Sequence, residues 1–438
     1  MTENDVTIAD GVQVEGQGEG QPSQTVAMAQ TVTIQTTAKE FVAALKRSLK
    51  PARKTSLPML VCAKIGDGTV TVTDLDITTV VPFEVIREKG EDGGGGVRGS
   101  GDSDGGRPGK GSREFLIPYY QTLNVLAGED GPLKIEYRPL GEKVTYRLRD
   151  CEYEFESRKV ENFPQTPKFP FGKEEPTKEA KTTAPAMAAS GQTAIINGAV
   201  FCKLIDQTLF AVSKKESRYT TQGALLKKEG DKVAMVATDG HRLAMARGEG
   251  KIPAGSPDML IRRDGLEYLR ARTGEAGIEG EIVINVGNGK GEEGDWMFFE
   301  TAGIQVAVRK LAGRFPNYQV VVDHAKGQTI RAMIPSAAKF LPVLLRVAKC
   351  ADWRSGAVRL EFGKSLRLSA TSTDNGTAKA DFPCAATGEL AVKVDSKYLA
   401  EFLKIVGDKP VEVGLKNAQS AMKFSADGFD YLLMPLHG

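Results

Sequence analysis

The chain is poor in the residues that form metal sites, disulfide frameworks and membrane spans. It has three histidines and five cysteines among 438 residues, and no two cysteines have the Cys-x-x-Cys spacing of zinc and redox sites. The odd number of scattered cysteines disfavours a disulfide scaffold and indicates a reducing, cytoplasmic environment. No stretch approaches about 18 consecutive apolar residues, and residues 1–30 lack the apolar centre of a secretion signal. We therefore expect no membrane span, no leader, no bound metal and no cofactor.

An excess of charge of one sign is also missing. The 58 lysines and arginines nearly balance the 56 aspartates and glutamates, so the formal charge of +2 identifies no partner by itself. With 41% hydrophobic residues the chain can bury several cores, and its length is enough for two to four domains.

Three segments have compositions that cannot bury enough apolar surface to offset the chain entropy lost on folding. Residues 1–30 predict a disordered tail, and residues 89–113, with four consecutive glycines, predict a disordered insertion in a hairpin. The proline-rich residues 164–192 predict an interdomain linker. The remainder divides into three predicted domains, at residues 31–163, 193–320 and 321–438.

The three predicted domains share one pattern. Each has a Thr-Asp pair at the end of an alternating, strand-like run, within residues 72–76, 237–244 and 372–376. Amphipathic periodicity predicts two helices in each domain, at residues 41–49 and 119–126, 200–212 and 265–272, and 340–351 and 397–406. Pro342 either marks the start of its helix or kinks it. A pattern used three times predicts a repeated α+β fold, with two helices on an antiparallel sheet in each domain.

Four short motifs carry a family resemblance. Residues 237–244 read Ala-Thr-Asp-Gly-His-Arg-Leu-Ala, and residues 57–60, 313–318 and 431–436 supply three further matching stretches in the same order. Together they resemble the bacterial DNA polymerase III beta subunit, the beta sliding clamp. The resemblance implies a non-catalytic processivity factor, built as a head-to-tail homodimeric ring of six similar domains around double-stranded DNA. It also implies a groove that binds short motifs of the replicative polymerase and the clamp loader.

The resemblance places the partner groove between the second and third domains, where leucine, valine, methionine and proline suit an apolar anchor. The matching positions are Thr221, Thr238, Gly240, His241, Arg242, Leu243, Pro316, Val321, Leu432, Met434, Pro435 and Leu436. His241 and Arg242 are expected to contact the rim of the bound motif, although His241 could instead brace its turn. The last two residues, His437 and Gly438, depart from the family's Arg-Leu ending, which puts the affinity for the motif in question.

The resemblance also implies basic helices that contact DNA phosphates without reading bases. The candidates are Lys46, Arg47, Lys50, Arg53, Lys54, Lys203, Lys214, Lys215, Arg218, Arg270, Arg272, Lys339, Arg346, Lys349 and Lys404. The alternative is that these charges are only solvated. Tyr153 and Phe155 match apolar positions of the family's dimer interface and alternate with glutamates, as in an edge strand.

Two other functions stay open at this point. One is a specialised clamp paralogue with a distinct partner, and the other is a hydrolase that uses Asp239 and His241. The triple repeat argues against the hydrolase, because an enzyme rarely needs three copies of one active-site turn. Asp74, Asp76 and Asp239 could ligate a metal, but a role in stabilising turns is favoured. Residues 105–112 superficially suggest a phosphate loop but lack its spacing.

Overall fold

The computed structural model describes residues 31–53, 55–66, 68–86, 114–170, 193–214, 221–275, 280–286 and 295–436. The predicted tail at residues 1–30 and the predicted insertion at residues 89–113 lie outside the described residues. Most of the predicted linker, from residue 171 to residue 192, lies outside them as well.

The elements follow one order three times, a strand, a helix, four strands, a helix and three strands. The first repeat contains β1 (Val32–Thr37), α1 (Ala38–Arg47), β2 (Cys62–Gly66), β3 (Thr69–Thr73), β4 (Ile77–Pro82), β5 (Phe115–Pro118), α2 (Tyr119–Val125), β6 (Pro132–Arg138), β7 (Lys143–Arg147) and β8 (Glu152–Glu156). The second contains β9 (Thr193–Asn197), α3 (Gly198–Thr208), β10 (Gly223–Glu229), β11 (Lys232–Thr238), β12 (Arg242–Glu249), β13 (Met259–Arg262), α4 (Arg263–Glu275), β14 (Glu281–Val286), β15 (Trp296–Thr301) and β16 (Ile304–Arg309).

A short helix, α5 (Gln319–His324), connects the second repeat to the third. The third repeat contains β17 (Ile330–Ile334), α6 (Ala337–Ala348), β18 (Ala357–Phe362), β19 (Leu366–Ser372), β20 (Gly376–Phe382), β21 (Leu390–Asp395), α7 (Ser396–Val406), β22 (Val411–Leu415), β23 (Met422–Ala426) and β24 (Phe429–Leu433). Single 3-10 turns lie at Pro58–Val61, Val160–Asn162 and Leu209–Ala211. This order confirms the predicted repeated α+β fold.

The strands form four antiparallel sheets, and two of these sheets join neighbouring repeats. One eight-stranded sheet has the order β5-β2-β3-β4-β16-β15-β14-β9, and the other has the order β13-β10-β11-β12-β24-β23-β22-β17. We call the latter the second junction sheet. The four-stranded sheets β1-β6-β7-β8 and β20-β19-β18-β21 lie at the two ends of the chain of repeats. Among the described strands, β1 and β8 are the edges of the first of these sheets, and β20 and β21 are the edges of the second.

The helices pack on one face of the sheets because each has a single apolar stripe. In α1, Phe41 and Leu45 are fully buried, whereas Lys46 is exposed, and the side chain of Thr37 caps the helix by accepting from the N–H of Glu40 at 3.2 Å. The predicted helices are all present, with ends that differ by at most four residues.

Helix α6 begins at Ala337, so Pro342 lies inside the helix and does not mark its start. Helix α7 is capped by Asp395, whose carboxylate accepts from the N–H of Lys397 at 2.8 Å. The structure describes no helix that is long and apolar enough to cross a membrane.

The Thr-Asp motifs form equivalent hairpin turns, between β3 and β4, β11 and β12, and β19 and β20. Asp74 accepts from two backbone N–H groups at 2.7 and 3.0 Å, and Asp239 does so at 3.0 and 3.2 Å. In the third turn Ser372 accepts from the N–H of Asn375 at 3.0 Å. Carboxylates held in this way stabilise turns. Among the described residues, no cluster of histidine, cysteine, aspartate and glutamate is suited to a metal ion.

Candidate functional site

A small apolar cluster lies on the face of the second junction sheet that points away from the helices, here called the outer face. Alternate residues of β11 lie on opposite faces of the sheet. Val233, Met235 and Ala237 belong to the main core, whereas Val236 belongs to the outer cluster. The buried members of the outer cluster are Leu225, Val236, Leu243, Met245, Tyr318, Ala325, Ala421 and Leu432. They come from the second repeat, the third repeat and the α5 segment, so the cluster depends on how the repeats are joined.

Three of the predicted groove residues meet in this cluster. Leu243 and Leu432 are directly opposite each other across the β12·β24 pair, and half-buried Val321 packs beside them from α5. Pro316 is exposed at the entrance to the α5 segment, and Thr221 is buried in the second repeat. These three residues therefore share an apolar cluster at the junction of two repeats, and their role in binding stays a prediction.

Sequence reasoning missed the other six buried members of the cluster, which are Leu225, Val236, Met245, Tyr318, Ala325 and Ala421. Strands β10 and β11 are apolar on both faces, so their alternation alone could not separate the outer residues from the core. The aromatic pair Phe315 and Tyr318 was a usable signal, because it lies in the short connection between β16, which ends at Arg309, and α5; the two rings lie 6.0 Å apart.

The turn beside the cluster brings its own backbone to the C-terminal segment. Gly240 has a φ of 92°, which favours glycine, and its N–H donates to the hydroxyl of Thr238 at 3.1 Å. The backbone carbonyl of His241 accepts from the N–H of Met434 at 3.0 Å. The exposed ring of His241 stacks on Tyr398 at 6.1 Å between centroids. His241 therefore braces the turn and also presents one face of its ring to solvent.

Arg242 lies behind the groove, which corrects the expectation that it would contact the rim of a bound motif. Its side chain is only 6% exposed, and its guanidinium donates to Asp239 at 3.0 Å, to the carbonyl oxygen of Phe210 at 2.7 Å and to Glu401. The ring of Tyr398 lies 4.3 Å from the guanidinium carbon. Because Glu401 and Tyr398 belong to α7, Arg242 connects the second repeat to the third.

The C-terminal segment supplies one open side chain to the rim. Met434 is 37% exposed, whereas Pro435 is buried. Leu436 is half-buried, and its N–H donates to the carbonyl oxygen of Lys393 at 2.8 Å. Met434 is therefore the residue of this segment that is best placed to contact a ligand. His437 and Gly438 lie outside the described residues.

The predicted DNA-contacting residues fall into three groups. The exposed ones are Lys46, Lys50, Arg53, Lys203, Lys214, Lys339, Arg346, Lys349 and Lys404. Three arginines are only half-exposed and are held by neighbours: Arg270 by Asp206 at 2.7 and 2.9 Å, Arg47 by a carbonyl oxygen at 3.0 Å and Arg272 by another at 3.2 Å. Lys54, Lys215 and Arg218 lie outside the described residues.

The helices lie on the face of the sheets opposite the outer groove. The candidate DNA-contacting surface on the helices and the candidate partner groove are therefore separate. Lys203 is the most constrained of the exposed cations on the helices, because its ammonium pairs with Asp427 at 3.0 Å. An exposed pair of this kind contributes little stability and leaves the cation able to exchange partners. The helices thus present exposed positive charges at the ends of long side chains. Such charges suit contact with a polyanion that slides along the surface and does not bind in one fixed position.

The predicted interface residues Tyr153 and Phe155 lie on edge strand β8 but point toward their own repeat. Both are half-buried against the core, and the ring of Phe155 lies 5.8 Å from that of Tyr146. Glu152, Glu154 and Glu156 are exposed on the other face of the strand. An edge strand offers its backbone for pairing whichever way its side chains point.

Comparison with known proteins gives one consistent family. A family model described as DNA polymerase III beta subunit, central domain, matches residues 195–317. The beta sliding clamp of Pseudomonas aeruginosa is 27% identical over 241 residues, which cover 53% of this chain and 62% of that protein. The beta sliding clamp of Synechococcus elongatus is 27% identical over 238 residues, which cover 52% and 61%. The matched part of the chain thus spans about three fifths of the length of these relatives.

Solved structures extend the likeness to almost the whole chain. The crystal structure of the DNA polymerase III subunit beta from Pseudomonas aeruginosa has a TM-score of 0.74 at 20% identity, covering 93% of this chain and 100% of that one. The sliding clamp from Bartonella birtlesii bound to griselimycin has a TM-score of 0.73 at 19% identity, covering 93% and 100%. At such identities the likeness shows the fold, which agrees with the matched central domain and with the curated relatives. Residues 195–317 thus match the central domain of the bacterial DNA polymerase III beta subunit, and almost the whole chain shares the fold of those proteins.

Proposed function

We propose that this protein is a DNA sliding clamp that acts in the cytoplasm, without catalysis and without a cofactor. Two copies close head to tail into a ring around double-stranded DNA. The basic helices face the DNA and contact its phosphates regardless of sequence. The outer groove tethers the replicative polymerase and the clamp loader through short apolar motifs.

The observation that carries this proposal is that two of the described edge strands, β8 and β20, lack the cross-repeat partner that their copies in the other repeats have. Within the chain, repeats are joined twice in the same way, through β4·β16 and through β12·β24. By position in the repeats, β20 is the third copy of β4 and β12, and β8 is the third copy of β16 and β24. The same joint between β20 of one subunit and β8 of another would continue the pattern and remove both edges.

The repeat also predicts the register of this joint. Leu432 lies opposite Leu243 in one internal joint, and Ala307 lies opposite Thr78 in the other. The equivalent positions in the free edges are Glu154 and Thr377, counted from the turn that precedes each strand. This register places the aromatic residues Tyr153 and Phe155 opposite the small residues Ala378 and Gly376. It also places Glu152 opposite Lys379 and Cys151 opposite Ala380, so large residues meet small ones and charges are complementary.

A disulfide tests the joint and its register together. Opposite residues of antiparallel strands have Cα atoms about 4.5 or 5.5 Å apart, which is within the range for a disulfide. Cys151 is free and exposed, so Ala380→Cys should form a covalent dimer of about 94 kDa, twice 47.1 kDa, under mild oxidation. Lys364→Cys, in an exposed hairpin away from β20, is the control and should stay monomeric on a non-reducing gel. A monomer in light scattering at micromolar concentration, with no cross-linked species, would contradict the proposal.

A topological assay tests the function itself. A loaded ring should stay on closed circular DNA at a salt concentration that removes it from short linear duplexes, because retention then depends on the closed path and not on affinity. Cutting the circle should release the protein. Equal retention on circular and linear DNA of the same sequence would show that binding is not topological.

The hydrolase alternative finds no support in the geometry of the turn. One carboxylate oxygen of Asp239 is held by backbone N–H groups and the other by Arg242, and the ring of His241 stacks on Tyr398. A general acid-base pair would need the carboxylate or the imidazole to be within hydrogen-bond reach of a substrate or of each other.

A further inference from the structure

The apolar groove does not end at the apolar residues. On the outer face of the second junction sheet, a cavity of about 410 Å³ continues from the cluster residues Met245, Ala325 and Leu432. Its other wall carries Arg247, Lys326, Arg331 and Lys423, with Asp430 as its one carboxylate. The cavity is therefore apolar at one end and basic at the other.

Strand pairing fixes the distance between the two ends. Leu243, Leu432, Lys423, Gly414 and Arg331 lie in one row across the sheet, each directly opposite the next on the neighbouring strand. At about 4.8 Å between strands, the backbone of Lys423 is one strand from Leu432 and that of Arg331 is about 14 Å away. An extended peptide rises about 3.3 Å per residue, so a peptide anchored at Leu432 reaches the basic end within two to four residues.

The four cations differ in how far they are already paired with carboxylates of the same chain. Arg247 is engaged by both Glu229 and Asp430, at 2.9 Å for the latter, and Lys423 shares Asp430 at 3.1 Å. Lys326 pairs with Asp323 at 2.7 Å, but both side chains are more than half exposed, so the pair is weak.

Arg331 is exposed on β17, and none of the ion pairs between described residues involves it. Its backbone is held in place, because its N–H donates to the hydroxyl of Thr387 at 2.9 Å. Its guanidinium is thus the charge most available to a ligand.

We propose that this basic extension, formed by Lys326, Arg331 and Lys423, receives a carboxylate side chain that lies two to four residues from the apolar anchor of a partner peptide. The inference rests on the proposed function of the groove and adds the chemistry of its neighbouring site. The partner segment is therefore acidic as well as apolar. The carboxylate gains a charge-assisted contact with Arg331, and the wide spacing of the cations lets the acidic residue vary in position.

Fluorescence polarisation with three synthetic peptides tests the inference on the full-length protein. The neutral peptide carries a Leu-Phe anchor flanked by serines, and the other two carry aspartates two to four residues before or after that anchor. At low salt, the better acidic peptide should bind about fivefold more tightly than the neutral one, and this advantage should shrink as salt is raised. Arg331→Ala should remove most of the advantage and leave the neutral peptide's affinity unchanged. Lys364→Ala, an exposed lysine on another sheet, should change neither.

Three outcomes would overturn the inference. Equal binding of neutral and acidic peptides would leave the groove intact and refute the basic extension. An acidic advantage that survives in Arg331→Ala, and in the double variant with Lys326→Ala, would place the carboxylate elsewhere. Failure of all three peptides to bind would refute the groove itself, and with it the proposed tethering function.

Discussion

Replacing Arg242 with alanine should destabilise the joint between the second and third repeats more than any exposed substitution. The side chain is 6% exposed and holds Asp239, which is itself 13% exposed, together with the carbonyl oxygen of Phe210. Alanine would leave both acceptors without their cation in a nearly dry environment. Removing one partner of a buried pair typically costs about 3–5 kcal/mol.

The expected loss lies near the lower end of that range. Asp239 keeps its two backbone hydrogen bonds, and the Glu401 side chain is 41% exposed, so water replaces part of what it loses. We therefore expect Arg242→Ala to reduce the free energy of unfolding by about 3 kcal/mol. Arg242→Lys should lose about half as much, because a lysine keeps the charge but cannot form three fixed contacts.

Urea denaturation followed by tryptophan fluorescence measures this loss. The two tryptophans report on different repeats, since Trp296 is in β15 and Trp353 follows α6. Arg367→Ala is the matched control, because Arg367 is 59% exposed and pairs with an equally exposed aspartate. That control should lose less than about 1 kcal/mol. If Arg242→Ala loses no more than the control, the guanidinium does not hold the joint together.

Three further expectations concern stability. Gly223→Ala should cost about 2 kcal/mol in urea denaturation, because a Cβ there collides with a backbone carbonyl oxygen of the neighbouring strand, whereas Gly131→Ala, with open space around it, should be neutral. Phe402→Ala should cost about 3–5 kcal/mol, since the ring is fully buried and stacks at 4.8 Å on a tyrosine, whereas the 77% exposed Leu140 should tolerate alanine. Burial raises the pKa of Asp430, but a serine hydroxyl and two cations outweigh it and leave the pKa lowered. Asp430→Asn should therefore lower Tm at pH 7. The difference in Tm between the variant and the parent should shrink as pH falls below about 4, through the lowered pKa of the folded state. A difference in Tm that does not change with pH would refute the charge as the cause.

The repeat and the fold class could be predicted from the sequence, because the signals for both are local. A Thr-Asp turn stabilises itself through the N–H groups next to Asp74 and Asp239, so its sequence resembles its copies wherever it recurs. Helix periodicity is local too, and the predicted helices are present with small shifts at their ends. Pro342 shows the limit of such rules, because it is accommodated within a helix that begins five residues earlier.

The candidate site was predictable only in part, because burial depends on partners that are distant in the chain. Arg242 resembles a rim residue in the sequence, yet Glu401, 159 positions away, and Tyr398 enclose it. The outer cluster was hidden for another reason. Strand β11 is buried on both faces, so the sequence does not distinguish Val236 from the core residues beside it. Only the arrangement of the strands in the sheet shows that Val236 lies in the outer cluster.

Among the described residues, the two internal joints differ in what lies on their outer faces. On the sheet that contains the first joint, Phe163 is buried in a cluster with Cys62 of β2 and Leu116 of β5, and the ring of Phe169 lies 5.6 Å from that of Phe298 in β15. The segment that follows the first repeat thus packs on the sheet that contains the first joint. At the second joint the segment with α5 covers only part of the face and leaves a cavity of about 410 Å³ open beside Leu432. The same backbone joint is therefore covered in one place, and in the other it leaves open the surface that we propose binds a partner peptide.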